Sequence, residues 1–195
     1  MGRSKEFDEN VVLQRAMELF WKQGYEKASM SDLLEHMGIH RKSLYDTFGD
    51  KRGLYLKAIE FYGKYSAEKL KSRIADSETA KQAIQSAFDY IIEGNEDERL
   101  GCFFVNAATE MDPSDKEVDE IVNQAFNQTE EWLSDIICKG QQSGEISSDH
   151  DAQSWAEFLH NALIGIRVQV RTSTSKDKMY RTKDMFLNLL FNYLY

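Results

Sequence analysis

A single proline in 195 residues, Pro113, restricts this chain more than any other feature. Proline is kept out of helix interiors, whereas loop-rich and sandwich folds usually carry several, so a chain with one proline is free to be helical along most of its length. Apolar residues recur at helical spacing almost throughout, and no period-two run persists. The expected class is all-α, and 42% hydrophobic residues are enough to build a core.

Helix boundaries can be read from breakers and caps. Val12, Ala16, Leu19 and Phe20 predict an amphipathic first helix from about Glu6 to Gly24. Ser29 followed by Asp32 has the form of a capping box opening a short helix that Gly38 ends. "HRKSLYDTF" has room for barely two turns before Gly49, and Asp50 can cap a fourth helix running toward Ile74. Further on, Ala83 to Ile91 mark a helix ending near Gly94, "CFFVNAATEM" a short apolar one, and Val118 to Ile137 a long one after Pro113. Trp155 to Val170 and "DMFLNLLFNYLY" close the chain, the latter apolar nearly all round apart from Asn188 and Asn192.

Charge divides the chain unevenly. Residues 1–52 hold nine Lys/Arg and nine Asp/Glu, so the rest carries the whole net charge of −9. Anion binding is therefore expected only near the N-terminus. There "GIHRKSLYDTFGDKRGLY", Gly38 to Tyr55, gathers Arg41, Lys42, Lys51 and Arg52 beside two tyrosines. Cys102 and Cys138 are too few and too distant for a disulfide framework or a metal site, which fits reduced thiols in a cytosol. The N-terminus has acidic residues where a signal peptide needs an apolar core, and no stretch approaches eighteen uncharged apolar residues. A cytoplasmic protein without membrane contact is expected. His150 and His160 have no neighbouring ligands and read as solvent or core residues, so no metal is expected. With no nucleophile elbow, paired catalytic acids or cofactor fingerprint, neither an enzyme nor a cofactor is expected.

Two short helices joined by a tight turn at Gly38-Ile39-His40, held together by Leu33, Leu34, Met37, Ile39, Leu44 and Phe48, form a helix-turn-helix pattern. The longer run "GYEKASMSDLLEHMGIHRKSLYDTFGDKRGLYLKAIEFY", Gly24 to Tyr62, closely resembles the DNA-binding domain of the TetR family of transcriptional regulators. "GCFFVNAATE" is similar to a segment in the ligand domains of several members. The resemblance implies a three-helix DNA-binding domain over 1–50, a linking helix over 51–73, and a ligand-binding and dimerisation domain over 74–195.

Carried over by position, the resemblance implies that Ser29 caps the second helix and touches a phosphate, that Tyr45 and Thr47 reach the DNA backbone, and that Lys51 adds a charge-assisted contact. His40, Arg41, Lys42 and Ser43 would open the recognition helix and face the major groove. His40 stands where the family often has Ser, and Lys42 where it often has Gly. Tyr45 has core packing beside Phe48 as its alternative role.

In the second half, Cys102, Asn106 and Glu110 follow at spacings of four along an apolar segment. They are candidates for orienting a hydrophobic or aromatic effector, with helix-end hydrogen bonding as an equal reading for the polar pair. Reversible binding is preferred over a thiol sensor, because Arg99 is the sole basic residue near Cys102. The apolar last helices, Leu163 and Leu189 included, should pair with those of a second chain. The expected protein is a homodimeric, ligand-responsive repressor of a palindromic double-stranded DNA operator. The alternatives are a small-molecule-binding or enzymatic helical protein with a structural N-terminus, and a protein-interaction module.

Overall fold

The computed structural model describes residues 7–94, 99–112 and 114–191; Pro113, Glu6 and the stretch beyond Phe191, with Asn192, lie outside it. The described residues form nine helices and no strand. These are α1 (Glu9–Gln23), α2 (Met30–Met37), α3 (Arg41–Phe48), α4 (Lys51–Ile74), α5 (Ala80–Glu93), α6 (Phe103–Glu110), α7 (Lys116–Ser143), α8 (Ala152–Val170) and α9 (Lys176–Phe191). The all-α expectation holds.

The chain divides into two compact units. The first combines residues 1–66 with 106–122, and the second combines 67–105 with 123–195. The N-terminal head thus includes a segment from the middle of the sequence.

In the first unit, local signals set the helix ends. Asp8 caps α1 by accepting the Asn10 N–H at 2.9 Å. Ser29 caps α2 by accepting the Asp32 N–H at 3.1 Å, as the Ser29/Asp32 spacing predicts. Gly38 takes a left-handed conformation (φ 69°, ψ 32°) and donates its N–H to the Leu34 and Glu35 carbonyls. α1 braces this turn, since Arg15 Nη1 donates to the Met37 carbonyl at 3.1 Å. Asp50 Oδ1 accepts the Gly53 N–H at 2.8 Å and starts α4.

The head's core is aromatic. Phe20 of α1 meets Tyr55 of α4 edge-on at 5.0 Å, Tyr25 packs on Tyr55 at 4.8 Å, and Trp21 meets Tyr62 at 4.9 Å. Leu33, Met37, Leu44, Phe48 and Leu54 are buried around them. Each fully buried side chain of this kind contributes roughly 1.5–3 kcal/mol. Gly53 lets α4 begin hard against the end of α3, because a Cβ there would lie 2.1 Å from the Phe48 carbonyl oxygen.

The second unit is built on Ile84, Phe88 and Ile92 of α5, Leu133 and Ile137 of α7, Leu159, Leu163 and Ile166 of α8, and Leu187 and Leu190 of α9. Lys183 of α9 is buried but paired, its Nζ 2.6 Å from Asp89 Oδ1 of α5 and 4.9 Å from the Tyr180 ring centroid. A buried cation is tolerated only with such compensation. Leu163 corrects one expectation. It belongs to this core at 2% exposure, whereas Leu189 is exposed. The uncovered apolar residues of α8 and α9 are Phe158, Val168, Met185 and Leu189.

Candidate nucleic-acid interface

α3 has eight residues, and its orientation is set by two of them. Leu44 and Phe48, one turn apart, are buried, which turns Arg41, Lys42, Tyr45 and Asp46 outward. Ser43 and Thr47 sit half-buried at the edges of that face. His40 occupies the N-cap position in extended conformation and makes no side-chain cap bond, so it too is exposed. The N–H groups of the first turn have no intrahelical acceptors, which gives this end partial positive charge. Arg41 and Lys42 reinforce it. Tyr45 is 47% exposed, which rules out the core role weighed for it.

The other carried-over positions flank this helix. Ser29 is exposed at the start of α2, its hydroxyl shared between the Asp32 N–H and Ser31 Oγ at 2.8 Å. Lys51 Nζ lies over the Tyr25 ring, 4.5 Å from its centroid, and 3.5 Å from the Glu26 carbonyl. Its ammonium is therefore held close to the chain leading into α2, while its side chain stays partly exposed. The head thus carries Arg41, Lys42, Tyr45, Lys51 and Ser29 on exposed or half-exposed positions of α2, α3 and the start of α4.

Arg52 departs from the basic cluster read in the sequence. Its guanidinium forms ion pairs with Asp115, at 2.7 Å, and with Glu117. The Arg52 hydrogen bond holds the Asp115 carboxyl below its ordinary range, and the two carboxylates hold the Arg52 pKa up. Sequence separations of 63 and 65 residues gave no local sign of this pairing. One arginine of the basic stretch is thereby paired with the 106–122 segment while staying partly exposed.

Glu110 makes a second link of the same kind. Its carboxylate accepts the Glu26 N–H at 3.2 Å and lies against Gly24, where a Cβ would come within 2.4 Å of Oε1. Gly24 also has φ 83°, so any side chain there would be strained as well as crowded. Of the three positions proposed to orient an effector, Cys102 is buried immediately before the first residue of α6, Asn106 is buried within it, and Glu110 is exposed at its end. The first compact unit takes Asn106 and Glu110, and the second takes Cys102.

Two family models cover most of these elements. Residues 12–58 match the bacterial regulatory proteins of the tetR family, and residues 80–186 match the tetracyclin repressor-like C-terminal domain. The chain is 33% identical over 193 residues to the HTH-type transcriptional regulator YezE of Bacillus subtilis, covering 97% of this chain and 100% of that protein. It is 29% identical to the HTH-type transcriptional repressor ComR of Escherichia coli, covering 96% of this chain and 91% of ComR. Among solved structures, a cysteine mutant of the TetR family regulator CifR, complexed with 26-bp double-strand operator DNA, superposes with a TM-score of 0.84. That match has 25% identity and covers 97% of this chain and 100% of CifR. With an exposed basic helix framed by a helix-turn-helix, and with both halves matched, the chain belongs to the TetR family of DNA-binding transcriptional regulators.

Proposed function

We propose that this regulator is a cytoplasmic repressor that binds a palindromic operator as a homodimer and is released by a small hydrophobic or aromatic effector. The observation that carries the reading is the outward face of α3, where Arg41, Lys42 and Tyr45 stand clear of the two buried anchors Leu44 and Phe48. Arg41 and Lys42, with His40 and Ser43, read base edges in the major groove; Ser29, Tyr45, Thr47 and Lys51 hold the phosphates. ComR, a repressor by name, and CifR, seen on operator DNA, support this assignment by likeness.

Dimerisation is favoured by the apolar residues left uncovered on α8 and α9. Phe158 and Val168 are exposed on α8, and Met185 and Leu189 are exposed one turn apart on α9. A second copy covering this face would bury surface worth about 25 cal/mol per Å².

Effector control is expected to pass through α6 and the corner after it. Cys102, Phe103, Phe104 and Asn106 are buried at the start of α6, while within the head Glu110 grips Glu26 and Asp115 and Glu117 grip Arg52. A ligand that binds better when this grip is altered shifts the head away from its DNA-binding pose by its differential affinity. The linking helix α4 carries the same displacement to α3.

Selection of bound duplexes from a randomised DNA library, followed by affinity measurement across a salt series, tests the reading. A two-fold symmetric sequence with salt-sensitive binding is expected. Enrichment of no symmetric sequence, with affinity set by salt alone, overturns it.

A further inference from the structure

His160 of α8 is 1% exposed, and half of its hydrogen-bonding capacity is unmet. Its Nδ1 lies 2.8 Å from Glu130 Oε1 of α7, whereas Nε2 is buried with no hydrogen-bond partner among the described residues. Phe126, one turn before Glu130 on α7, stands edge-on to the imidazole with ring centroids 5.1 Å apart. The chain entering α6 also approaches α8 two turns beyond His160, since a Cβ on Gly101 would lie 3.0 Å from the Arg167 carbonyl and 2.6 Å from Arg171 Cγ. All of these residues belong to the second compact unit.

Two charged groups act on the ring: Glu130 favours its protonated form, and Arg167 opposes it. Burial is the largest influence, pushes the imidazole below its ordinary value and favours the neutral ring. The carboxylate accepts only, which places the single proton on Nδ1 and leaves a lone pair on Nε2. Buried polar groups nearly always have partners, and an acceptor left without a donor is destabilising.

We propose that His160 Nε2 anchors the effector, accepting a hydrogen bond from a neutral hydroxyl on an aromatic or short apolar molecule. The proposal rests on the ligand-responsive reading above and narrows its chemistry to phenols and alcohols. A carboxylate would oppose one lone pair with another, and a hydrocarbon or ether would leave Nε2 unmet.

The test uses the full-length protein without DNA, titrated calorimetrically with 4-propylphenol and with its methyl ether, 4-propylanisole. The phenol should bind about tenfold more tightly. His160→Phe should abolish that preference, His160→Gln should retain part of it through its amide oxygen, and Glu130→Gln should reduce it by releasing the tautomer. Nitrogen-15 NMR of the wild type should show the proton on Nδ1 and a shift at Nε2 when the phenol is added; these readouts decide the matter if His160→Phe does not fold. Equal affinities in the wild type, a preference that survives His160→Phe, a proton on Nε2, an Nε2 that keeps a bound water in the presence of phenol, or failure of both compounds to bind each overturns the proposal. Operator release measured on the same samples separates the two readings. Phenol binding through His160 without release sinks effector control and keeps the anchor, whereas equal release by phenol and ether keeps effector control and sinks the anchor.

Discussion

α3 and the α8–α9 pair both leave a face uncovered, but the residues left out are of opposite kinds. α3 shows water Arg41, Lys42 and a phenol; α8 and α9 show Phe158, Val168, Met185 and Leu189. A solvated cation is stable alone, so the α3 face can be occupied and vacated as conditions change. An apolar face is driven to stay covered, at about 25 cal/mol per Å². One surface therefore suits a reversible partner whose affinity follows salt, and the other suits a permanent one.

The sharpest way to break this contrast is to put charge on the apolar face. Replacing Met185 and Leu189 together with Glu should leave the fold intact, because both side chains are exposed, yet yield monomers by sedimentation. Operator affinity should fall by about two orders of magnitude or more, since two half-sites would no longer be held together. A variant that remains dimeric would move the interface elsewhere.

On the reversible face the effects are smaller and differ in kind. Arg41→Ala should relax discrimination at particular base pairs by roughly 1–3 kcal/mol. Lys51→Ala should weaken all duplexes alike and lower the salt slope by about one. Competition binding with single-base operator variants at two salt concentrations separates the two behaviours.

The Arg52–Asp115 pair predicts an acid limb. Asp115 has its pKa lowered in the fold from an ordinary 3.8, so its stabilising contribution is present above about pH 5 and is lost as pH falls through the folded value. Arg52→Gln should remove that part of the loss, giving a thermal midpoint that falls less steeply below pH 4 than in the wild type. Parallel acid limbs would show that the pair contributes nothing to stability. The smallest effect is expected at Ser29→Ala, about 1 kcal/mol from the lost α2 cap, read by denaturant unfolding.

What could be read in advance was local. The Ser29 and Asp50 caps, the Gly38 turn and the spacing of Leu44 and Phe48 act within a few residues, and each performs in the structure the part its spacing implies. The outward position of Arg41, Lys42 and Tyr45 was implied by the TetR resemblance, and in the structure the buried Leu44 and Phe48 set it. The links of Arg52 to Asp115 and of Glu110 to the Glu26 N–H depend on which distant segment the fold brings alongside, and residue spacing holds no trace of that. Leu163 and Leu189 looked alike as leucines on apolar helices, and only the packing of α5, α7, α8 and α9 divides core from surface. His160 stood on an apolar helix in either view; its half-met hydrogen bonding emerged from Glu130, thirty residues away.

The absent side chain at Gly53 has a mechanical consequence. With no room for even a methyl group between this turn and the Phe48 carbonyl, any side chain at Gly53 would push the start of α4 away from the end of α3. α4 spans 24 residues, about 36 Å, so rotating it by about 5° sweeps one end some 3 Å relative to the other. A slack hinge would absorb that travel before the reading head moved. A displacement of that size is as long as a hydrogen bond to a phosphate.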